Sequence, residues 1–264
     1  MGLYENYVGV FDSGVGGLSV LQELVRQLPY ENFYYFGDSL HAPYGEKPLR
    51  LIRKYSMAIA DHMVEEGCKS IVIACNTATS ASAPKIRAKY DADIPILGME
   101  PALKPAAEKE HHGRVLVMAT PATLKLEKYQ KLSHRLEGEA EFIPVMCRGL
   151  AGRIEQGNLD APDLLDLLRS LIGDYAGKVD GIVLGCTHYP FIKKQIRTIM
   201  GDVPLFDGGA GTARQLRRRL LQHNILAPED EAAGAARGKV VLDSSLKTPE
   251  AQEIYETLYH TPIE

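Results

Sequence analysis

Short apolar runs alternate along the chain with longer stretches in which apolar residues recur every three or four positions. The runs predict buried strands, and the longer stretches predict amphipathic helices. In the first part of the chain, strands are predicted at 8–11, 33–36, 71–74 and 94–97, and helices at 18–28, 49–66 and 80–90. In the second part, strands are predicted at 114–120, at 141–145 and from 182, and helices at 122–132 and 161–175. This order is typical of an α/β fold in which crossover helices connect parallel strands.

The predicted elements form two similar series. Cys186 lies 111 residues after Cys75, and Thr120 lies 107 residues after Ser13, so polar strand ends recur at nearly constant spacing. The spacing favours an internal duplication, although unrelated α/β units can also show it. A helix at 213–222, a weak strand at 240–242 and a helix at 249–259 are predicted to return to the first half. We therefore expect one domain of residues 1–97 plus 208–264 and a second of residues 98–207, each a mainly parallel sheet flanked by helices.

In each half, one apolar run ends in a cysteine. The two segments read Ile71-Val72-Ile73-Ala74-Cys75-Asn76-Thr77 and Ile182-Val183-Leu184-Gly185-Cys186-Thr187-His188. Side chains at the carboxyl ends of parallel strands face the crevice where ligands bind, so we expect both thiols to face one pocket. Two opposed thiols suit a reaction that removes a proton from one face of a carbon atom and returns one to the other. A lone cysteine there is more often inert core packing, and His188 also admits a purely structural role.

A glycine-rich turn, Asp12-Ser13-Gly14-Val15-Gly16-Gly17, joins the first predicted strand to the first helix. Free backbone N–H groups at the start of a helix attract an anion. Ser19 stands where a dinucleotide fingerprint has its third glycine, so a carboxylate ligand fits as well as a nucleotide, and a simple tight turn remains open. Asp12 is suited to an ammonium group and Ser13 to a carboxylate. A loop rich in Pro and Gly further along offers the Tyr44 hydroxyl and the Gly45 amide.

Composition narrows the function classes. The 264 residues are 45% hydrophobic and 24% charged with a formal charge of −4, which argues against a nucleic-acid-binding surface. No apolar run approaches the roughly 20 residues of a membrane span, and the first residues do not resemble a signal peptide, so we expect a cytoplasmic protein. The four cysteines form no C-x-x-C pair and are expected to be free thiols.

Other chemistries fit the two thiols less well. A zinc site would lack a closely spaced ligand pair, and a cysteine–histidine hydrolase would leave the second thiol unexplained. A lysine bound to pyridoxal phosphate is not excluded by spacing, but no lysine occupies an evident strand end. We therefore expect neither a metal nor an organic cofactor.

Taken together, four motifs resemble the glutamate racemase family of the aspartate/glutamate racemase superfamily. They are the segment from Val10 to Leu18, Gly37-Asp38-Ser39 with Pro43-Tyr44-Gly45, Ala74-Cys75-Asn76-Thr77-Ala78-Thr79, and Leu184-Gly185-Cys186-Thr187-His188-Tyr189-Pro190. They occur in the family's order and span most of the chain. The resemblance implies a cofactor-independent, two-base racemase with its active site between two pseudo-symmetric α/β domains.

The resemblance also implies roles for individual residues. Cys75 would be the base for D-glutamate, assisted by Asp12, and Cys186 the base for L-glutamate, assisted by His188. Glu155 matches a glutamate on the histidine side. Its role is left open because the segment 146–153 carries two arginines and two glycines where members commonly have Cys-Pro followed by apolar residues. Ser39 replaces the family's usual Thr and keeps the hydroxyl. The implied substrate-binding residues are Asp12, Ser13, Tyr44, Gly45, Asn76, Thr77, Thr120, Thr123, Thr187 and His188.

From this resemblance we expect conversion of L-glutamate to D-glutamate for peptidoglycan synthesis. We expect glutamate as the small-molecule substrate, a homodimer, and no nucleic-acid or membrane partner. An aspartate or other amino-acid racemase of the same superfamily is the nearest alternative. A non-catalytic amino-acid-binding protein that kept the pocket is the alternative from another class.

Overall fold

Parallel strands build two separate sheets in the computed structural model, which describes residues 2–228 and 236–263. The first sheet contains β1 (Tyr7–Asp12), β2 (Asn32–Gly37), β3 (Ser70–Ile73), β4 (Ile96–Gly98) and β9 (Val240–Ser244). The second contains β5 (Arg114–Ala119), β6 (Glu141–Met146), β7 (Gly181–Gly185) and β8 (Leu205–Phe206). All neighbouring strands in both sheets run parallel. The predicted α/β class is confirmed.

Helices cover both faces of each sheet. They are α1 (Leu18–Gln27), α2 (Leu49–Glu65), α3 (Asn76–Tyr90), α4 (Leu103–Lys109), α5 (Pro121–Lys125), α6 (Glu127–Arg135), α7 (Leu150–Ile154), α8 (Pro162–Ile172), α9 (Lys193–Met200), α10 (Gly209–Gln222) and α11 (Pro249–His260). Short 3-10 helices lie at Ser39–His41, Tyr44–Glu46, Gly173–Tyr175 and Tyr189–Ile192. Because both faces are covered, strands such as β3 and β7 are buried throughout and read as continuous apolar runs.

The two sheets share one strand order. The order β2-β1-β3-β4 in the first sheet corresponds to β6-β5-β7-β8 in the second, and β9 is added beside β2. This agreement supports the two similar halves that the sequence spacing predicts. In the first half the chain passes from β2, on one side of β1, to β3 on the other side. In the second half it passes from β6, on one side of β5, to β7 on the other side. Ligands of such sheets bind at this crossing, beyond the carboxyl ends of the strands.

The C-terminal part returns to the first half as expected. β9 pairs with β2 from Phe33–Val240 to Gly37–Ser244, and α11 contacts α1. The exact division into 1–97 plus 208–264 and 98–207 stays a prediction. Residues 1, 229–235 and 264, which the predicted first domain includes, lie outside the described residues.

Some predicted helices have other bounds in the structure, such as the helix predicted at 213–222, which begins at Gly209. The helix predicted at 122–132 is interrupted at Leu126, whose extended backbone (φ −79°, ψ 139°) separates α5 from α6. The helix predicted from residue 80 begins at Asn76, because the Cys75 sulfur accepts a hydrogen bond from the Ala78 amide and caps its first turn. None of the helices in residues 2–228 and 236–263 combines the length and the apolar composition of a membrane span.

Candidate active site

Cys75 and Cys186 occupy equivalent places in the two halves. Cys75 follows β3 and Cys186 follows β7, the strands that hold the same position in the shared order. Their residues are only 5% and 7% exposed. The sulfurs lie close enough that Cys186 contributes to raising the pKa of Cys75. The structure therefore brings the two predicted thiols into one region.

Cys75 lies beside the glycine-rich turn. Its thiol donates to Ser13 Oγ at 3.8 Å, and Ser13 Oγ donates to Asp12 Oδ1 at 3.3 Å. Burial raises the pKa of the Cys75 thiol, and the Asp12 carboxylate raises it further. A neutral thiol is thus the favoured form, which suits a proton donor. Asp12 reaches Cys75 through Ser13.

Asp12 connects the two halves of the site. Its Oδ1 accepts the Gly14 amide at 3.0 Å, and its Oδ2 accepts Thr187 Oγ1 from the other half at 2.9 Å. Burial raises the pKa of this carboxyl, while His188 acts in the opposite direction.

Cys186 is paired with His188. The sulfur lies 3.5 Å from His188 Nδ1, and His188 Nε2 lies 2.5 Å from Glu155 Oε1. Burial lowers the pKa of His188, but the Cys186 sulfur and the Glu155 carboxylate together raise it well above its ordinary value. A cationic imidazole next to a cysteine stabilises the thiolate, which suits a proton acceptor.

Glu155 follows the last residue of α7, and its carboxylate reaches the glycine-rich turn. Glu155 Oε1 accepts the Val15 amide at 2.9 Å, and Oε2 accepts Ser39 Oγ at 3.2 Å. Gly14 leaves room for this carboxylate, because a Cβ at that position would overlap it. Glu155 thus contacts His188 directly, and its contribution to catalysis stays a prediction. The anion seated at this turn is the chain's own carboxylate.

A second group of polar side chains bridges the halves on the Cys75 side. Thr77 Oγ1 lies 3.0 Å from Thr120 Oγ1 and 3.1 Å from Thr123 Oγ1. A Cβ on Gly45 would come within 2.5 Å of Thr120 Cβ, so the predicted loop reaches this cluster as well. Asn76 is buried, and neither its amide nitrogen nor its oxygen has a hydrogen-bond partner within residues 2–228 and 236–263. Such a group calls for a ligand or water.

The Tyr44 hydroxyl is not free in this structure. It donates to Asp38 Oδ2 at 2.5 Å, and His41 Nδ1 lies 2.8 Å from Asp38 Oδ1. These bonds fix the shape of the loop that carries Gly45. A contact between Tyr44 and substrate stays a prediction.

No group of three or more His, Cys, Asp and Glu side chains is arranged to hold a metal ion in the described part of the chain. All four cysteines are buried and free of disulfide bonds.

Comparison with known proteins assigns the family. The family model described as Asp/Glu/Hydantoin racemase matches residues 8–216. The chain belongs to this racemase family. A glutamate racemase of Clostridium acetobutylicum is 44% identical over 248 residues, covering 94% of this chain and 94% of that relative.

Solved structures of the racemase family share the fold. A glutamate racemase from Francisella tularensis in complex with D-glutamate has a TM-score of 0.82 at 26% identity, covering 99% of this chain and 96% of that one. A glutamate racemase from Thermus thermophilus in complex with β-chloro-D-alanine has a TM-score of 0.78 at 33% identity, covering 98% of this chain and 94% of that one.

In this racemase, two contacts of Glu155 could not be predicted from the sequence. The sequence identifies Ser39 only as a replacement for Thr, yet its hydroxyl binds Glu155. The Val15 amide binds the same carboxylate, and only the glycines on either side of Val15 hinted at a close approach.

Proposed function

We propose that this protein interconverts L-glutamate and D-glutamate without a cofactor, using Cys75 and Cys186 as opposed bases. The observation that carries the proposal is the pair of thiols at equivalent strand ends, each with its own polar partners. The relatives named above, which are called glutamate racemases, support glutamate as the substrate. As a racemase, the enzyme is an isomerase.

Attack on L-glutamate requires the two cysteines in complementary states, one as thiolate and the other as thiol. The Cys186 thiolate, next to cationic His188, takes the α-proton, and the electron pair of the C–H bond remains on the substrate. Cys75 then donates its S–H proton to the opposite face of the α-carbon. D-glutamate leaves behind a Cys186 thiol and a Cys75 thiolate, and the reverse reaction uses these forms.

The polar groups between the halves would hold the substrate. Asn76, with its unpaired amide, and the Thr77 hydroxyl are suited to a carboxylate, and the Asp12 carboxylate, which accepts the Thr187 hydroxyl, is suited to the ammonium group. Donors aimed at the carboxylate stabilise the charge that develops when the α-proton leaves. In a buried site these contacts are stronger than in water.

The biological setting is part of the proposal. D-glutamate is a building block of peptidoglycan, so we assign the enzyme to cell-wall synthesis in the cytoplasm. We further propose that it acts as a homodimer and that the two predicted domains hold the substrate between them.

The activity is tested by circular dichroism of an L-glutamate solution. Addition of the purified protein should reduce the signal steadily toward zero, and in D₂O the product should carry deuterium at the α-carbon. Binding of glutamate without loss of optical activity would identify a non-catalytic binding protein instead.

The two-base assignment is tested by Cys75→Ser and Cys186→Ser. Each variant should lower racemisation in both directions, because every turnover needs one group to take a proton and one to give it. General acid–base groups contribute ~10²–10⁴ each, so losses in that range are expected. Cys68→Ser, which changes a cysteine outside the site, is the control and should keep near-normal activity. A loss below about tenfold in either site variant would refute the assignment.

A further inference from the structure

A chain of hydrogen bonds runs from the C-terminal helix to Cys186. Tyr255 of α11 places its Oη 2.9 Å from Ser39 Oγ, and Ser39 Oγ donates to Glu155 Oε2 at 3.2 Å. The other carboxylate oxygen, Oε1, lies 2.5 Å from His188 Nε2, and His188 Nδ1 lies 3.5 Å from the Cys186 sulfur. Tyr255 thus lies three hydrogen bonds away from His188.

The direction of the hydroxyl bonds follows from their acceptor. An ionised carboxylate accepts only, so Ser39 must donate its proton to Glu155. Ser39 Oγ is then left to accept from Tyr255, whose O–H is the donor. Each hydroxyl in such a chain polarises the next one, which strengthens the hold on Glu155.

Tyr255 is itself firmly held. The residue is 1% exposed and belongs to the core cluster that includes α1 and α10. Its ring lies edge-on to Tyr35 at 6.0 Å between centroids, and Gly37 leaves room for its hydroxyl, which a Cβ there would overlap. A hydroxyl fixed by the core is a suitable anchor for Glu155, which follows a helix of only five residues, α7.

We propose that Tyr255 and Ser39 are positioning residues of the racemase, which orient the Glu155 carboxylate so that it binds His188 Nε2 and fixes the imidazole beside Cys186. The proposal rests on the proposed function and adds to it two side chains from the first half, one of them on the last helix. This chain of hydrogen bonds links α11 to Cys186, the cysteine that takes the proton of L-glutamate.

The first test removes single hydroxyl groups. Tyr255→Phe should lower kcat/KM for glutamate about three- to tenfold, the value of one hydrogen bond, with little change in KM. Ser39→Ala should lower it by a similar factor, and Ser39→Thr, which keeps the hydroxyl, should restore it. The control is Tyr259→Phe on the same helix, which should leave activity unchanged.

The second test separates positioning from general support of the fold. In a Glu155→Gln background, Tyr255→Phe should have no further effect on kcat/KM, because its influence passes through the Glu155 carboxylate. A purely structural role would lower kcat/KM by the same factor in both backgrounds. Should Tyr255→Phe fail to fold, Ser39→Ala and Ser39→Thr carry the same double-mutant test.

A third measurement does not depend on racemisation. Alkylation of Cys186 by iodoacetamide, followed by mass spectrometry at each cysteine, should slow in Tyr255→Phe and Ser39→Ala, because a less firmly held His188 gives less thiolate. Unchanged alkylation together with activity within twofold of the wild type would overturn the proposal. A wild-type protein that does not racemise glutamate would refute the proposed function, while the alkylation rates would still test the positioning.

Discussion

At the scale of single residues, two glycines explain how His188 and Glu155 from one half reach the turn of the other. A Cβ on Gly14 would overlap the Glu155 carboxylate, and a Cβ on Gly16 would overlap the His188 ring. The glycines of this turn therefore provide space for side chains of the second half. A simple tight turn, one interpretation of the sequence, therefore does not account for Gly14 and Gly16.

Gly16→Ala is expected to displace His188 from Cys186. Because backbone atoms fix the new methyl group, the imidazole must move, and kcat/KM should fall by at least ~10², the lower value for a general acid–base group. Gly211→Ala is the control, since apart from the adjoining backbone of its own helix the nearest atom to a Cβ there is Arg214 Nη2 at 4.0 Å. The control should keep full activity and gain roughly 0.4–1 kcal/mol in free energy of unfolding. Racemase assays and urea unfolding measure both effects, and an active Gly16→Ala would contradict the geometry.

At the scale of secondary-structure elements, the strand ends carry most of the site. Asp12 ends β1, Cys75 follows β3, Thr120 follows β5 and Cys186 follows β7. The sequence predicts these positions because buried parallel strands are continuous apolar runs whose polar ends stand out. Four segments far apart in sequence thus meet at the carboxyl ends of two sheets.

The remaining features depend on tertiary contacts that no local pattern encodes. The helix predicted at 122–132 breaks at Leu126, where no Gly or Pro signals an interruption. The Leu126 side chain packs against the core beside α3, a contact that the local sequence does not reveal. The Tyr44 hydroxyl could be predicted to lie in the loop, but not to be bound by Asp38. The contact of Glu155 with His188 joins residues 33 positions apart, with α8, a 3-10 helix and β7 between them, so only the folded chain decides it.

Cys75 has a second role as the N-cap of α3, accepting the Ala78 amide at 3.4 Å. Ser can keep such a cap and Ala cannot, so Cys75→Ala should be less stable than Cys75→Ser by about 1 kcal/mol. At Cys68, which is buried without a capping bond among the described contacts, Ser should instead be no more stable than Ala. Urea unfolding of the four variants tests this contrast. The same stability order at both positions would exclude a capping role for Cys75.

At the scale of the whole molecule, hydrogen bonds between the halves close the site. Thr187 binds Asp12, Glu155 binds the Val15 amide, and Ser19 Oγ donates to the Thr187 carbonyl at 2.7 Å. These contacts set the distance between the halves and keep both thiols nearly dry. Exclusion of water strengthens the electrostatic contacts to a developing carbanion.

This fixed distance between the halves leads to a prediction about substrate choice. Asn76 and Thr77, next to Cys75, would hold one carboxylate of glutamate, and Ser13 with the loop that carries Gly45 would hold the other, while the α-carbon lies between the sulfurs. Aspartate is one methylene shorter, and it would either leave one carboxylate unpaired or shift its α-carbon away from a thiol. A missing methylene alone changes kcat/KM only ~10–200-fold, but unpaired polar groups raise the discrimination to about 10⁴. We therefore expect kcat/KM for L-glutamate to exceed that for L-aspartate by at least ~10², measured by circular dichroism with each amino acid. Equal values, or a preference for aspartate, would instead favour an aspartate or other amino-acid racemase of the same superfamily.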